Sequence, residues 1–111
     1  MQTDLLSFQR LDAYQVAKQI AVIVHKAAVR DAELRDQATR AAKSTFLRLA
    51  EGLPLEAAGM RRKYFAEASG SLCETVAAMD LAEAIGAAAA EDVAMVHSLG
   101  LRLKRMLRAL K

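Results

Sequence analysis

The sequence has no tryptophan, one cysteine, one proline and two histidines in 111 residues, and aromatics make up only 5% of it. Each scarcity excludes something. A lone thiol, Cys73, cannot form an intrachain disulfide framework and fits a reducing compartment. With Pro54 the only proline, long stretches are free to be helical. His25 and His97 stand on separate segments, each without a second ligand four residues away. The Glu-x-x-His pattern of di-metal bundles is missing, so no metal and no cofactor is expected. No apolar run approaches the roughly 18 residues of a membrane span. The longest patch is Ile20 to Val24, and Met1-Gln2-Thr3-Asp4 lacks a basic signal region. The expected setting is cytoplasmic, away from any membrane.

Catalytic constellations are also missing. Ser44, Ser69 and Ser71 lack the Gly-x-Ser-x-Gly setting of a nucleophile elbow and are read as small packing residues whose hydroxyls bond back to the helix backbone. Cys73 precedes Glu74, a poor setting for a nucleophilic thiolate, and is read as structural. The five glycines are scattered and form no phosphate-binding loop. The chain is expected not to be an enzyme.

Apolar residues nonetheless make up 54% of the chain. Alanine and leucine, both strong helix formers, supply most of them. The fold class is therefore all-α, and the length suits one domain over residues 1–111. A first helix is expected over about 8–29. Leu11, Tyr14, Ala17, Ala21, Val24 and Ala28 lie at three- and four-residue steps. Beside them Ala13, Val16, Ile20, Ile23 and Ala27 form a second apolar row. So wide an apolar face implies more than one neighbour, and Val16, Ile20 and Ile23 are candidates for contact with a second copy.

A second helix is expected over about 31–52, with Asp31 as N-cap, a seam of Leu34, Ala38, Ala41, Thr45 and Leu49, and Gly52 at its end before Pro54. A third, over about 59–85, buries Phe65, Ala68, Leu72, Val76 and Met79 and stops at Gly86. A fourth, over about 90–110, carries Val96, Leu99, Leu103, Met106 and Leu110. Short connections make this an up-down-up-down antiparallel four-helix bundle. Within the third helix, Ala68, Ser69, Gly70 and Ser71 are small where a helix built only for stability would be large. They suggest a close helix crossing.

The net charge of +3 is unevenly spread. Glu74, Asp80, Glu83, Glu91 and Asp92 are the only charges between positions 74 and 92. Arg102, Lys104, Arg105, Arg108 and Lys111 are the only charges after that. This pattern fits both helix-dipole complementation and a basic docking surface. Arg61, Arg62 and Lys63 open the third helix against its dipole, which suits either a solvated loop edge or phosphate contact. Arg40, Lys43 and Arg48, with Arg35 before them, lie along the second helix. The candidate nucleic-acid-binding residues are thus Arg40, Lys43, Arg48, Arg61, Arg62, Lys63, Arg102, Arg105 and Arg108. Only Tyr64 and Phe65 adjoin a basic run, so contact with phosphate is favoured over base stacking.

Several fragments carry a family resemblance. Phe8, Leu11 and Tyr14 form a Phe-x-x-Leu-x-x-Tyr pattern. Arg40 to Ser44 is an Arg-Ala-Ala-x-Ser run, Ala50 to Gly52 an Ala-Glu-Gly helix end, and Ala68 to Glu74 an Ala-x-Gly-Ser-Leu-x-Glu segment. Ile85-Gly86 makes a helix stop. In this order and spacing the chain resembles the four-helix-bundle proteins of intervening sequences in bacterial large-subunit ribosomal RNA genes. It departs from that family at Arg48, where an asparagine is usual. The resemblance implies a closed homo-oligomer, typically a pentameric ring, and kinship with accessory proteins of diversity-generating retroelements, which bind nucleic acid and partner a reverse transcriptase. RNA or DNA and a reverse transcriptase are therefore expected partners, and a ring would multiply a weak basic patch by avidity. A purely structural or protein-interaction assembly without nucleic acid is the alternative.

Overall fold

The computed structural model describes residues 11–110. Helices α1 (Asp12–Lys26), α2 (Ala32–Gly52), α3 (Ala58–Ala84) and α4 (Ala90–Ala109) follow one another, and no strand occurs among the described residues. Contacts run α1 to α2, α2 to α3, α3 to α4 and α4 back to α1. Two connections meet at one end. The Arg30 backbone N–H donates to the Ala87 carbonyl at 2.8 Å, and the Arg30 guanidinium donates to the Gly86 carbonyl. Joining the α1–α2 and α3–α4 turns in this way fixes the antiparallel up-down-up-down order. One apolar cluster draws buried residues from all four helices.

The helix ends follow from local chemistry. Asp31 caps α2 by accepting the Leu34 N–H at 2.9 Å, which satisfies one of the orphan amide groups of the first turn. At the end of α3, Gly86 takes φ +76°. Its N–H donates to Glu83 at 2.9 Å, and the next amide, of Ala87, donates back to Ala82 at 2.7 Å. This pair of bonds is a Schellman stop, which needs a left-handed residue and so favours glycine. Helix α1 ends at Lys26, earlier than the sequence suggests, because Ala28 adopts φ 50° and breaks the helical path. The expected start at Phe8 falls outside the described residues.

Small residues dominate the most extensive contact, between α2 and α3. Ala38, Ala41, Ala42 and Thr45 are buried on α2, and Ala68, Leu72, Thr75 and Ala78 on α3. The Thr45 and Thr75 hydroxyls donate to the carbonyls four residues earlier, Ala41 at 2.8 Å and Ser71 at 2.9 Å. Ser44 and Ser71 instead hydrogen-bond to each other across the interface at 2.8 Å, and not to their own helix backbones as the sequence suggests.

Two further expectations are corrected. Gly70 is exposed, with no atom within 4 Å of where a Cβ would stand. It faces away from α2, and only Ala68 of the small segment is fully buried. The close approaches are made by glycines elsewhere. A Cβ on Gly52 would lie 2.9 Å from Phe65 Cε1 and 3.0 Å from Tyr64 Cβ, and one on Gly100 would lie 3.3 Å from Val76 Cγ2. The second correction concerns α1. Val16 and Ile20 are 3% and 0% exposed within a single copy, and Ile23 packs against the same core. Most of both apolar rows is covered within a single copy, with Leu11 and Ala28 left exposed; Val16 and Ile20 have no surface left for a second copy.

These placements give two tests by thermal or denaturant unfolding. Gly52→Ala should destabilise the bundle by about 1–3 kcal/mol, because the buried Phe65 ring has no room to retreat. Gly70→Ala should stabilise it by up to about 1 kcal/mol, since only helix propensity changes at an open site. Equal effects from the two would contradict the packing described. At Ala28, the left-handed conformation costs about 1–2 kcal/mol for a residue with a Cβ, while glycine raises unfolded-state entropy by about 0.4–1 kcal/mol. Ala28→Gly should therefore give a small net gain, read as a raised Tm.

Candidate functional site

Helical spacing lays two rows of side chains along the junction of α1 and α2. On α1, Tyr14, Lys18, Val22 and Lys26 recur at four-residue steps, with His25 beside the last. On α2, Arg35, Thr39 and Lys43 recur at the same step, and Phe46 follows three residues later. Such steps place side chains on one helical face. Because the helices are antiparallel, Tyr14 meets Phe46 at one end of the groove, and His25 shares a recess with Arg35 at the other. The two rings lie 4.9 Å apart between centroids, tilted by 57°.

The groove is a pair of joined recesses. One, of about 530 Å³, is walled by His25, Arg35, Asp36, Thr39, Arg40 and Lys43. The other, of about 400 Å³, has an apolar floor of the half-buried Tyr14, Ala21 and Phe46 and a rim that includes the exposed Val22, Lys18, Lys26 and Lys43. His25, Thr39 and Lys43 line both. Five cations (Lys18, Lys26, Arg35, Arg40 and Lys43) thus meet one carboxylate, Asp36. None of the five is held in an ion pair with another described residue, since the only such pairs are those of Arg48. Arg35 is oriented by donating to the Val29 carbonyl at 3.0 Å. The chemistry of such a groove is that of an anion site: exposed cations of one sign beside a partly dehydrated apolar floor.

The basic residues singled out from the sequence do not converge. Arg40 and Lys43 stand in this groove. Arg48 is diverted, with its guanidinium 2.7 Å from Glu51 and 3.9 Å from Glu67; the position where this chain departs from its resemblance has become an ion-pair centre. Arg61 lies over the Phe65 ring at 5.4 Å, with its Nε buried and unbonded. Arg62 and Lys63 are exposed beside it, as are Arg102, Arg105 and Arg108 on α4. These last groups belong to α3 and α4 and line neither recess of the α1–α2 groove. Sequence reasoning missed Lys18, His25 and Lys26 as groove residues, and Tyr14 and Phe46 as its floor. Their four-residue spacing was the available signal.

Two of the motif fragments also come together in space. Arg40 and Ser44 from one, and Ser71 and Glu74 from another, line a polar cleft between α2 and α3, closed at its floor by the Ser44–Ser71 bond. Cys73 is exposed rather than structural, with Lys104 Nζ 4.0 Å from its sulfur. No three His, Cys, Asp or Glu side chains among the described residues gather as metal ligands, and no helix among them is long and apolar enough to cross a membrane.

No curated protein matches the chain. A family does. The order of its fragments, the four-helix fold that joins them and a match over residues 9–109 lead to one conclusion: the chain belongs to the 23S rRNA-intervening sequence protein family.

Proposed function

We propose that the protein is a non-catalytic, homo-oligomeric nucleic-acid-binding protein whose contacts centre on the α1–α2 groove. The observation that carries this is that five cations, none ion-paired with a described residue, face one carboxylate along that groove. Phosphate backbones are the polyanion such a row fits, because binding releases their condensed counterions. The family's description, tied to an intervening sequence of 23S rRNA, makes RNA the first ligand to try. If all five cations engage a single strand, affinity should fall roughly 100-fold between about 50 and 200 mM salt. Fluorescence anisotropy with labelled RNA and DNA of unrelated sequences measures this. The doubly reversed variant Arg40→Glu with Lys43→Glu should weaken binding at least about tenfold. The α4 variant Arg102→Glu, Arg105→Glu and Arg108→Glu should change it far less. The opposite ranking would move the site to α4, and no binding by the intact protein at low salt would end the proposal.

Assembly is the second part of the proposal. Its contacts fall to exposed apolar side chains, Leu81, Ile85, Met95 and Leu101, each about half exposed, and not to Val16 or Ile20. A pentameric ring is the expected form, with a reverse transcriptase as the protein partner implied by the resemblance. Sedimentation at micromolar concentration should give one discrete species larger than a monomer. The structural alternative rests on the acids Glu74, Asp80, Glu83, Glu91 and Asp92. Were they to pair with the groove cations of a neighbouring copy, the assembly would dissociate in high salt and the assembled form would not bind RNA.

A further inference from the structure

We infer that the α1–α2 groove takes unpaired nucleotides of a single strand, seating a base on the Tyr14–Phe46 floor while Lys43, Arg40 and Arg35 hold the adjoining phosphates. This rests on the nucleic-acid function proposed above and narrows it to one substrate class.

Three observations point the same way. The recess over the rings has about 400 Å³ of space, within the roughly 300–1,000 Å³ typical of small-molecule sites. Its floor is apolar and aromatic, and its rim is cationic. A simple phosphate track needs no such floor, whereas a base offers a flat π-face to one of the two rings, which are tilted by 57° to each other, and carries its phosphate alongside. The two recesses also share His25, Thr39 and Lys43, so a strand can pass from one to the other without leaving the protein surface. In a duplex each base is stacked between its neighbours, and its face cannot reach half-buried rings set between two helices. Stacking of this kind is tolerant of sequence because every base has a π-face. Helical spacing sets Tyr14 beside Lys18 and Phe46 beside Lys43, but that the two rings meet follows only from the pairing of α1 with α2.

The test compares the intact protein with Phe46→Leu, which keeps an apolar side chain of similar reach. Anisotropy is read with a labelled single-stranded oligonucleotide and with a duplex of the same length in the same salt. The intact protein should prefer the single strand, and Phe46→Leu should lose about five- to tenfold in single-strand affinity with duplex affinity and salt slope unchanged. Circular dichroism confirms that the variant remains folded. A second measurement needs no variant. Photocrosslinking of a 5-bromouracil single strand to the intact protein should place the adduct on a peptide containing Tyr14 or Phe46. Equal affinity for single strand and duplex, or an adduct confined to α3 or α4, would overturn the stacking site. Salt-dependent binding that survives such a result would leave the phosphate function standing, whereas absence of binding to either nucleic acid would remove both.

Discussion

The close approach of α2 and α3 is the constraint on which the rest of the bundle depends. Two helices can come together only where side chains are short, and here the facing positions are alanine, serine, threonine and, at Gly52, no side chain at all. The fully buried Phe65 ring occupies the space that Gly52 leaves open. Hydroxyls at such an interface must find partners, because a buried unsatisfied polar group costs about 1–3 kcal/mol. Thr45 and Thr75 find theirs in their own helices, and Ser44 and Ser71 in each other. With one helix pair so tightly fixed, the larger residues Ile20, Leu49, Met79 and Leu103 fill the remaining core.

The other helix pairs meet less extensively, and their surfaces open into grooves. Between α3 and α4, Gly100 leaves a shallow apolar recess. Between α1 and α2 the recess is edged with cations. The difference lies in the balance of charge: Lys104 faces Asp80 beside His97 in the α3–α4 recess, whereas five lysines and arginines face the single Asp36 along the α1–α2 groove. Long cationic side chains can lay their stems along an apolar floor while the charged heads stay in water. Cations gathered this way repel one another, and the arrangement is tolerated because all are solvated at the groove rim.

Much of the fold was legible in the sequence because helical periodicity is a local property. The seam of Leu34, Ala38, Ala41, Thr45 and Leu49 is buried throughout, and Asp31 and Gly86 act where their residue types belong. What failed was pairwise and long-range. Gly70 reads as a crossing point only if the face it lies on is known, and a single helix does not reveal which side its neighbour will take. Val16 and Ile20 look surplus until α4 is seen to cover them along with α2. The groove was half legible. Arg40 and Lys43 could be named from one helix, but Lys18 and Lys26 become part of the same feature only through antiparallel pairing. Arg48, by contrast, looked equally available and is neutralised by two glutamates, one of them on α3.

Charge alone does not make a small bundle a good ligand for a polyanion. With +3 overall, a single copy would attract a polyanion weakly and would lose that attraction as salt shortens the range of the field to roughly 8–10 Å. Two features change the balance. An aromatic floor adds a contribution that salt does not screen, since stacking depends on contact and not on long-range charge. Repetition of the groove in an assembly raises the effective concentration of the next site along a strand, and the interval between copies then selects strands flexible enough to follow it. A single strand bends over such distances far more easily than a duplex of about 50 nm persistence length. An oligomer that strengthened phosphate contact would therefore also favour the unpaired strand.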